Sequence, residues 1–152
     1  MPVKVLVVDD HPIVRHGLHN LLETDPSISI VGEAGDGISG LEMVYRVKPD
    51  VLIVDLMMPG LNGIDIIKQA IKNLPRLRII VLSMQSADSY VVEALQSGAA
   101  GYILKNTAPG ELIQAIHTVI KGERYISPSL SQRVLNASFG KKVVIDPYET
   151  LT

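Results

Sequence analysis

The sequence predicts an α/β fold in which helices cover both faces of a parallel sheet. Short apolar runs alternate with stretches whose apolar residues recur every three to four positions, which is typical of strands followed by amphipathic helices. The apolar runs begin near residues 3, 28, 51, 78 and 101, at intervals of 25, 23, 27 and 23 residues. Five such units with right-handed crossovers fit a flavodoxin-like sheet with the strand order 2-1-3-4-5.

One of these strands ends in a residue that a buried strand does not need. Residues 51–54 are all apolar and three of them are β-branched, which indicates a strand buried on both faces. Asp55 follows directly at the carboxyl end of this run. Removing a carboxylate from water is costly unless a cation pairs with it. We therefore expect Asp55 to contact a positive charge or a metal ion, or to have a chemical role.

Turn and cap residues bound the other elements. A glycine-rich turn is predicted at residues 32–37, and Gly98 is predicted to end the fourth helix. Asn62 and Thr107 are predicted N-caps, with Pro109 in the first turn of the last helix. The predicted strands are Val3–Val8, residues 28–31, residues 51–54, Arg78–Ser83 and Gly101–Leu104.

The sequence changes in character after its first 121 residues. We interpret residues 1–121 as one domain and residues 122–152 as a linker, in which a short helix starts at Ser127. Residues 121–142 are locally basic, and a solvated linker is the favoured interpretation over a patch that contacts phosphates. We expect the chain beyond about Phe139 to be mobile.

Composition narrows the function classes. The 152 residues suffice for one domain with a substantial core. A net charge of −2 gives the whole chain no general affinity for nucleic acid, and the absence of cysteine excludes disulfides and thiolate metal sites. The sequence shows no signal-peptide pattern and no apolar run of the roughly 18 residues that span a bilayer. A cytoplasmic protein without a membrane partner is expected.

Polar residues end four of the predicted strands. In doubly wound sheets, ligands bind beyond the carboxyl ends of the strands, where the strand order reverses. Any one of these residues alone has an ordinary explanation, because an acidic residue after a strand usually belongs to a turn or a cap. Their combination at one edge is far less expected by chance. The converging residues are Asp9, Asp10, Asp55, Ser83 and Lys105.

This combination suits a phosphoryl group. Three carboxylates in one cleft repel one another unless a cation joins them, and ligation by oxygen alone suits Mg²⁺. Lys105 is long enough to reach Asp55, and Ser83 brings a hydroxyl donor. A metal ion, an ammonium group and a hydroxyl group can neutralise phosphoryl oxygens while a carboxylate attacks phosphorus in line.

Four segments of the chain resemble the receiver domain of two-component response regulators, over residues 2–121. They are VLVVDDHPIVRHGL, VLIVDLMMPGLNGID, VLSMQ and GYILK. The resemblance implies that Asp55 is the phosphoacceptor and that Lys105 and Ser83 bind the phosphoryl group. It also implies a magnesium site and a switch pair. The implied metal ligands are Asp9, Asp10, Asp55 and the Met57 carbonyl, with Asp10 the more direct ligand of the acidic pair, and the switch residues are Ser83 and Tyr102.

The sequences of two segments, DDHPIVRHGL and GAAGYILKN, most resemble the subfamily with a LuxR-type helix-turn-helix output. This resemblance implies a histidine kinase partner, possible small phosphodonors, and a homodimer on phosphorylation. It implies DNA contact only through a C-terminal domain beyond Thr152. It also implies that Tyr102 rotates inward, and the same residue could equally be a core aromatic. Asn106 stands where many receivers have proline, so the cis peptide of that loop is not implied here.

We expect this receiver to be a switch and not an enzyme, with self-phosphorylation and slow autodephosphorylation as its only reactions. Three other functions are alternatives to this switch. A phosphohydrolase of the haloacid-dehalogenase type needs a second Asp two residues after the nucleophile, where this chain has Met57. A mononucleotide binder needs a phosphate loop after the first strand, where Asp9 and Asp10 would repel a phosphate. A degenerate receiver that acts only in docking would not need the complete set of five groups.

Overall fold

A parallel sheet forms the centre of the molecule. The computed structural model describes residues 2–58 and 60–130. The strands are β1 (Val3–Val8), β2 (Ile28–Ala34), β3 (Val51–Asp55), β4 (Arg78–Ser83), β5 (Gly101–Leu104) and β6 (Tyr125–Ile126). The helices are α1 (Pro12–Leu22), α2 (Gly37–Val47), α3 (Gly63–Asn73), α4 (Asp88–Ser97) and α5 (Ala108–Ile120). No helix in the described part of the chain is long and apolar enough to cross a membrane.

The strand order is β2-β1-β3-β4-β5-β6, so the predicted fold class and the order of the first five strands are confirmed. The sixth strand was not predicted. It pairs in parallel with β5 and lies in the segment that was interpreted as a linker. Two residues are too few for an alternating or apolar pattern to be read from the sequence, so no local signal marks this strand.

Strand β2 is longer than predicted. The turn expected at residues 32–37 begins later, because Leu6, Val7 and Val8 pair with Gly32, Glu33 and Ala34. The register between β1 and β2 shifts by one residue at this point, leaving an extra residue on β2. Glycine inside a strand often marks an irregularity of this kind. Gly32 can therefore lie within β2 instead of ending that strand.

Both faces of the sheet are covered by helices, as predicted. Strand β1 shows the alternation, since Leu6 and Val8 belong to one core cluster and Val5 and Val7 belong to the other. The first cluster contains buried residues of α2, α3 and α4, and the second contains those of α1 and α5. The central residues of β1, β3 and β4 are therefore enclosed between the two layers of helices.

The predicted helix caps have mixed outcomes. Asn62 caps α3 with its side chain, which accepts a hydrogen bond from Asp65 N at 3.0 Å. Thr107 occupies the N-cap position of α5 but does not cap it through its side chain, because its hydroxyl donates to Leu104 O at 3.2 Å. Gly98 ends α4 with φ 123°, and Pro109 lies in the first turn of α5, both as predicted.

The short helix predicted after Ser127 begins within the described residues, since residues 128–130 are helical and Leu130 is buried. The remaining expectations for the linker concern the end of its helix, the basic residues up to 142 and mobility beyond about Phe139. Those residues lie outside the part of the chain that the structure describes.

The start of α3 packs directly on the end of β3. A Cβ atom at Gly63 would lie 2.7 Å from Leu56 Cα and 2.8 Å from Asp55 O. These neighbours are backbone atoms, so a side chain at position 63 would push the helix away from the strand that carries Asp55. The hydrogen bond from Gly63 N to Leu56 O, at 3.0 Å, shows the same close approach.

We predict that Gly63→Ala lowers the free energy of unfolding by about 1–3 kcal/mol, the usual cost of forcing extra atoms into a packed site. The matched control is Gly17→Ala, because nothing lies within 4 Å of a Cβ atom at that helical position. Alanine there should raise the free energy of unfolding by about 0.5–1 kcal/mol. Urea titrations of both variants measure the two effects. Equal midpoints for Gly63→Ala and the wild-type chain would contradict this packing.

Candidate functional site

The five converging residues predicted from the sequence meet at the carboxyl edge of the sheet. Asp9, Asp55 and Ser83 are almost completely buried, with exposed fractions of 1%, 3% and 1%. The Lys105 side chain is 9% exposed, and Asp10 is partly buried. Four strand ends thus bring three carboxylates, one ammonium group and one hydroxyl group to the same edge.

Asp55 is held by one bond to each carboxylate oxygen. Its Oδ1 accepts a hydrogen bond from Met57 N at 3.1 Å, and its Oδ2 accepts one from Lys105 Nζ at 3.0 Å. Burial raises the pKa of Asp55 above its ordinary value, and the bond from Lys105 offsets only part of this effect. The carboxylate is therefore poorly solvated, and its charge depends on nearby cations.

Lys105 binds two carboxylates at once. Its Nζ lies 3.0 Å from Asp9 Oδ2 and 3.0 Å from Asp55 Oδ2. Burial acts to lower the pKa of Lys105, but the hydrogen bond to Asp55 and the negative charges of Asp55 and Asp9 raise it overall. The ammonium group therefore stays charged. Its backbone is fixed as well, since Lys105 N donates to Ser83 O at 2.8 Å.

Ser83 and Tyr102 contact the same loop residue. The Ser83 hydroxyl accepts a hydrogen bond from Gln85 N at 2.9 Å, and the Tyr102 hydroxyl donates to Gln85 O at 2.6 Å. Burial raises the pKa of Tyr102, and a hydrogen bond with Ser83 opposes this shift. Both switch residues predicted from the sequence thus hold the loop between β4 and α4.

The inward rotation of Tyr102 expected on phosphorylation stays a prediction; in this structure the ring is wholly buried. The bond to the Gln85 carbonyl explains why the phenol can lie inside, since it satisfies the hydroxyl group away from water. The backbone of the neighbouring loop is also ordinary. No cis peptide bond occurs among the described residues, including the bond between Lys105 and Asn106.

One residue of the site was missed in the sequence. His11 was interpreted only as part of the His-Pro break after β1. Its Nδ1 lies 3.0 Å from Asp9 Oδ1, 3.1 Å from Asp10 Oδ1 and 3.1 Å from Lys105 Nζ. The signal that could have revealed it is position, because a residue directly after an acidic pair at a strand end enters the same edge.

The acidic cluster fits a divalent cation. Ligand atoms of Asp9, Asp10, His11 and Asp55 all lie within 4.8 Å of one another. Asp9 Oδ2 and Asp10 Oδ1 are buried and accept no hydrogen bond of good geometry, although Lys105 Nζ and His11 Nδ1 lie nearby. Buried carboxylate oxygens without such bonds are what a hard cation would satisfy. The structure leaves the role of the Met57 carbonyl as a prediction.

A known protein family matches most of this chain. The sequence profile described as the response regulator receiver domain matches residues 5–117. The chain belongs to the response-regulator receiver family. It is 35% identical over 150 residues to the response regulator GacA of Pseudomonas syringae pv. syringae (strain B728a), a match that covers 99% of this chain and 70% of GacA. It is 39% identical over 137 residues to NarL of Escherichia coli (strain K12), covering 90% of this chain and 63% of NarL.

Solved receiver structures share the fold. A LuxR-family response regulator from Aurantimonas sp. SI85-9A1 superposes with a TM-score of 0.85 and 32% identity, covering 90% of this chain and 98% of that one. The isolated receiver domain of RcsB from Salmonella enterica serovar Typhimurium, with phosphomimetic BeF3−, has a TM-score of 0.81 and 33% identity, covering 87% of this chain and 98% of that one. Phosphorylation-activated signalling is the function of this family, and its members are phosphoacceptor switches that bind Mg²⁺ at their acidic pocket.

We predict that Mg²⁺ at millimolar concentration raises the melting temperature of this receiver, because an ion that binds only the folded state stabilises it by mass action. Asp10→Ala should abolish most of this increase. Asp65→Ala is the control, since Asp65 is an exposed acid of α3 outside the cluster. Thermal scans with and without the ion measure each variant against itself. A wild-type melting temperature that does not respond to Mg²⁺ would argue against a metal site.

Proposed function

We propose that Asp55 accepts the phosphoryl group that controls this receiver, with a histidine kinase phosphohistidine as donor. The observation that carries the proposal is the bond of 3.0 Å from Lys105 Nζ to Asp55 Oδ2 inside a cluster of three carboxylates. Asp55 is the carboxylate that contacts both Lys105 and the backbone of Met57, and it also belongs to the acidic cluster. Mg²⁺ would be held by Asp9, Asp10, Asp55 and the Met57 carbonyl.

The chemistry of transfer follows from these contacts. A carboxylate oxygen of Asp55 forms a bond to phosphorus as the bond from phosphorus to the donor nitrogen breaks. The phosphoryl oxygens add negative charge to a site that already holds three carboxylates, so positive charge must meet them. Mg²⁺, when bound, would supply part of this positive charge. The Lys105 ammonium supplies the rest, and the Ser83 hydroxyl can donate to a phosphoryl oxygen while its oxygen accepts from Gln85 N.

The same residues argue against a phosphohydrolase. Hydrolysis of an aspartyl phosphate is fast when a second carboxylic acid acts as general acid and base beside it. Met57 stands two residues after Asp55, and its side chain offers no proton and is half exposed. The phosphorylated state of this receiver therefore persists as a signal and decays slowly by attack of water, which distinguishes a switch from an enzyme.

Exposed apolar side chains around the site support a protein as phosphodonor. A large phosphodonor must place its phosphohistidine within bonding distance of Asp55, so it must cover the rim of the cleft. Four large apolar side chains that follow the ends of β1 to β4 are exposed, which is unusual for a polar edge. They are Ile13, Ile38, Met57 and Met84. Small phosphodonors need no such rim and should reach Asp55 directly.

The output is proposed from the relatives. RcsB has been solved as dimers bound to DNA. We propose that phosphorylation of this receiver favours a homodimer and that DNA is contacted through a C-terminal domain, with residues 1–121 as the receiver and residues 122–152 as the linker. The cytoplasm is the proposed location, as is typical of this family.

We predict that phosphoramidate or acetyl phosphate with Mg²⁺ adds the mass of one phosphoryl group to the wild-type chain. Asp55→Asn keeps the size of the side chain but removes its nucleophilic charge, so this variant should gain no such mass. Asp65→Asn is the matched control on the exposed face of α3 and should react as the wild type does. Intact mass spectrometry over time measures all three. Equal rates for Asp55→Asn and the wild type would exclude Asp55 as acceptor.

We predict that Lys105→Ala separates phosphorylation from the conformational response. Lys105 ties the loop after β5 to Asp55, so without it the phosphoryl group has no cation through which to move that loop. Amide spectra should show smaller phosphorylation-induced shifts at residues 85–102 than in the wild type, even where the variant still gains the phosphoryl mass. Lys72→Ala, in the last turn of α3, is the control. Identical shifts in Lys105→Ala and wild type would contradict this role.

A further inference from the structure

The segment that leaves the receiver after α5 is docked along the outer edge of β5. Tyr125 and Ile126 pair in parallel with Gly101 and Tyr102. The backbone bond from Ser127 N to Tyr102 O, at 3.0 Å, extends this pairing by one residue. We refer to residues 125–130 as the docked segment. Its last residue is 1% exposed and belongs to the same core cluster as Tyr102.

Ser127 is the polar residue around which this docking is built. It is wholly buried, and each of its polar groups has a partner. Its hydroxyl accepts a hydrogen bond from Leu104 N at 3.2 Å and donates one to Glu111 Oε1 at 3.0 Å. Its carbonyl accepts from Leu130 N at 2.8 Å. One side chain thus joins the docked segment to the end of β5 and to the first turn of α5.

The partner of Ser127 on β5 is the residue next to Lys105. Leu104 N donates to the Ser127 hydroxyl, and the following peptide carries Lys105, whose Nζ bonds to Asp55 Oδ2. The carbonyl that accepts from Ser127 N belongs to Tyr102, whose hydroxyl holds Gln85. The two hydrogen bonds of Ser127 to the backbone of β5, one through its hydroxyl and one through its N–H group, therefore lie at or next to residues that contact the phosphoryl site or its loop.

We propose that Ser127 is a positioning residue that couples the phosphoryl site to the docked segment, an inference that rests on Asp55 as the phosphoacceptor. When Lys105 moves to meet the phosphoryl group, the adjoining backbone of Leu104, including its N–H group, moves with it. The bond from Leu104 N to the Ser127 hydroxyl then changes, and the docked segment shifts between a paired and a released state. Strand β6 is the element with two states, paired and released. Lys105 at one end of the relay and Ser127 at the other influence which state is populated.

The dimensions of β6 make this element easy to bias. Only two residues pair with β5, at the edge of the sheet, and short edge strands open more readily than central ones. The docked segment also lies near the start of residues 122–152, which are proposed as the linker. A change in its pairing would therefore alter how the chain leaves the receiver, which is the information that an output domain needs.

Hydrogen exchange of the 152-residue chain tests the coupling. Phosphoramidate and Mg²⁺ phosphorylate the protein, and intact mass confirms one phosphoryl group per chain. We expect phosphorylation to change amide exchange at residues 125–130 of the wild type by about tenfold, the effect of one hydrogen bond of ordinary strength. Ser127→Ala should gain the same phosphoryl mass but show no such change, because its docked segment already exchanges rapidly.

Two matched variants test whether the response depends on the hydrogen bonds of Ser127. Ser129→Ala alters an exposed serine two residues away and should keep the wild-type response. Glu111→Ala removes the acceptor of the Ser127 hydroxyl from the opposite side and should reproduce the loss seen with Ser127→Ala. A wild-type response that persists in Ser127→Ala, or a phosphorylated wild type with unchanged exchange at residues 125–130, would overturn the proposal.

A second arm needs no phosphorylation. Lys105→Ala breaks the bond to Asp55 at the other end of the relay, so exchange at residues 125–130 should change in the unmodified protein, whereas Lys72→Ala should leave it unchanged. Unaltered exchange in Lys105→Ala would overturn the coupling. If the wild-type chain gains no phosphoryl mass, the proposed phosphoacceptor fails, and this arm still decides whether Lys105 and the docked segment are coupled.

Discussion

The contact of Lys105 with Asp55 and Asp9 is the interaction on which the carboxyl edge of the sheet depends. Parallel strands buried on both faces leave their ends in a poorly solvated place, and two carboxylates lie there almost without exposure. One ammonium group, 3.0 Å from each, makes this arrangement possible. Breaking a buried pair of this kind typically costs about 3–5 kcal/mol, because the remaining charge has no partner. The same contact that stabilises the resting site thus also makes it sensitive to added negative charge.

The fold holds this contact in place through backbone interactions more than through side chains. Lys105 N donates to Ser83 O, which ties the end of β5 to the end of β4. Gly63 lets the start of α3 approach the backbone of residues 55 and 56, so β3 cannot shift away from its neighbours. The side chains of the site are therefore mounted on three adjacent strand ends that these backbone contacts hold side by side in this structure.

Sequence reasoning recovers the parts of this molecule that repeat a physical pattern. The first residues of β3, β4 and β5 lie where predicted, because unbroken apolar runs between turn residues can hardly form anything but buried strands. The end of β2 and the strand β6 depend on partners distant in sequence, so no local pattern encodes them. The contact of His11 with Lys105 has the same origin. Thr107 shows the same limit, since its hydroxyl bonds a carbonyl of β5 instead of the helix that it precedes.

Strand β6 has a consequence for how copies of this chain can associate. The free edge of a sheet is a template on which another extended chain can add itself, and folded proteins commonly cover such edges. Here β6 occupies the outer side of β5 at Gly101 and Tyr102, so a second copy cannot add a strand there while the segment is docked. In that state, two receivers cannot associate by adding a strand to β5. Release of β6 would open a backbone edge instead, and a receiver with its signal turned on would then present a different kind of surface to its neighbours.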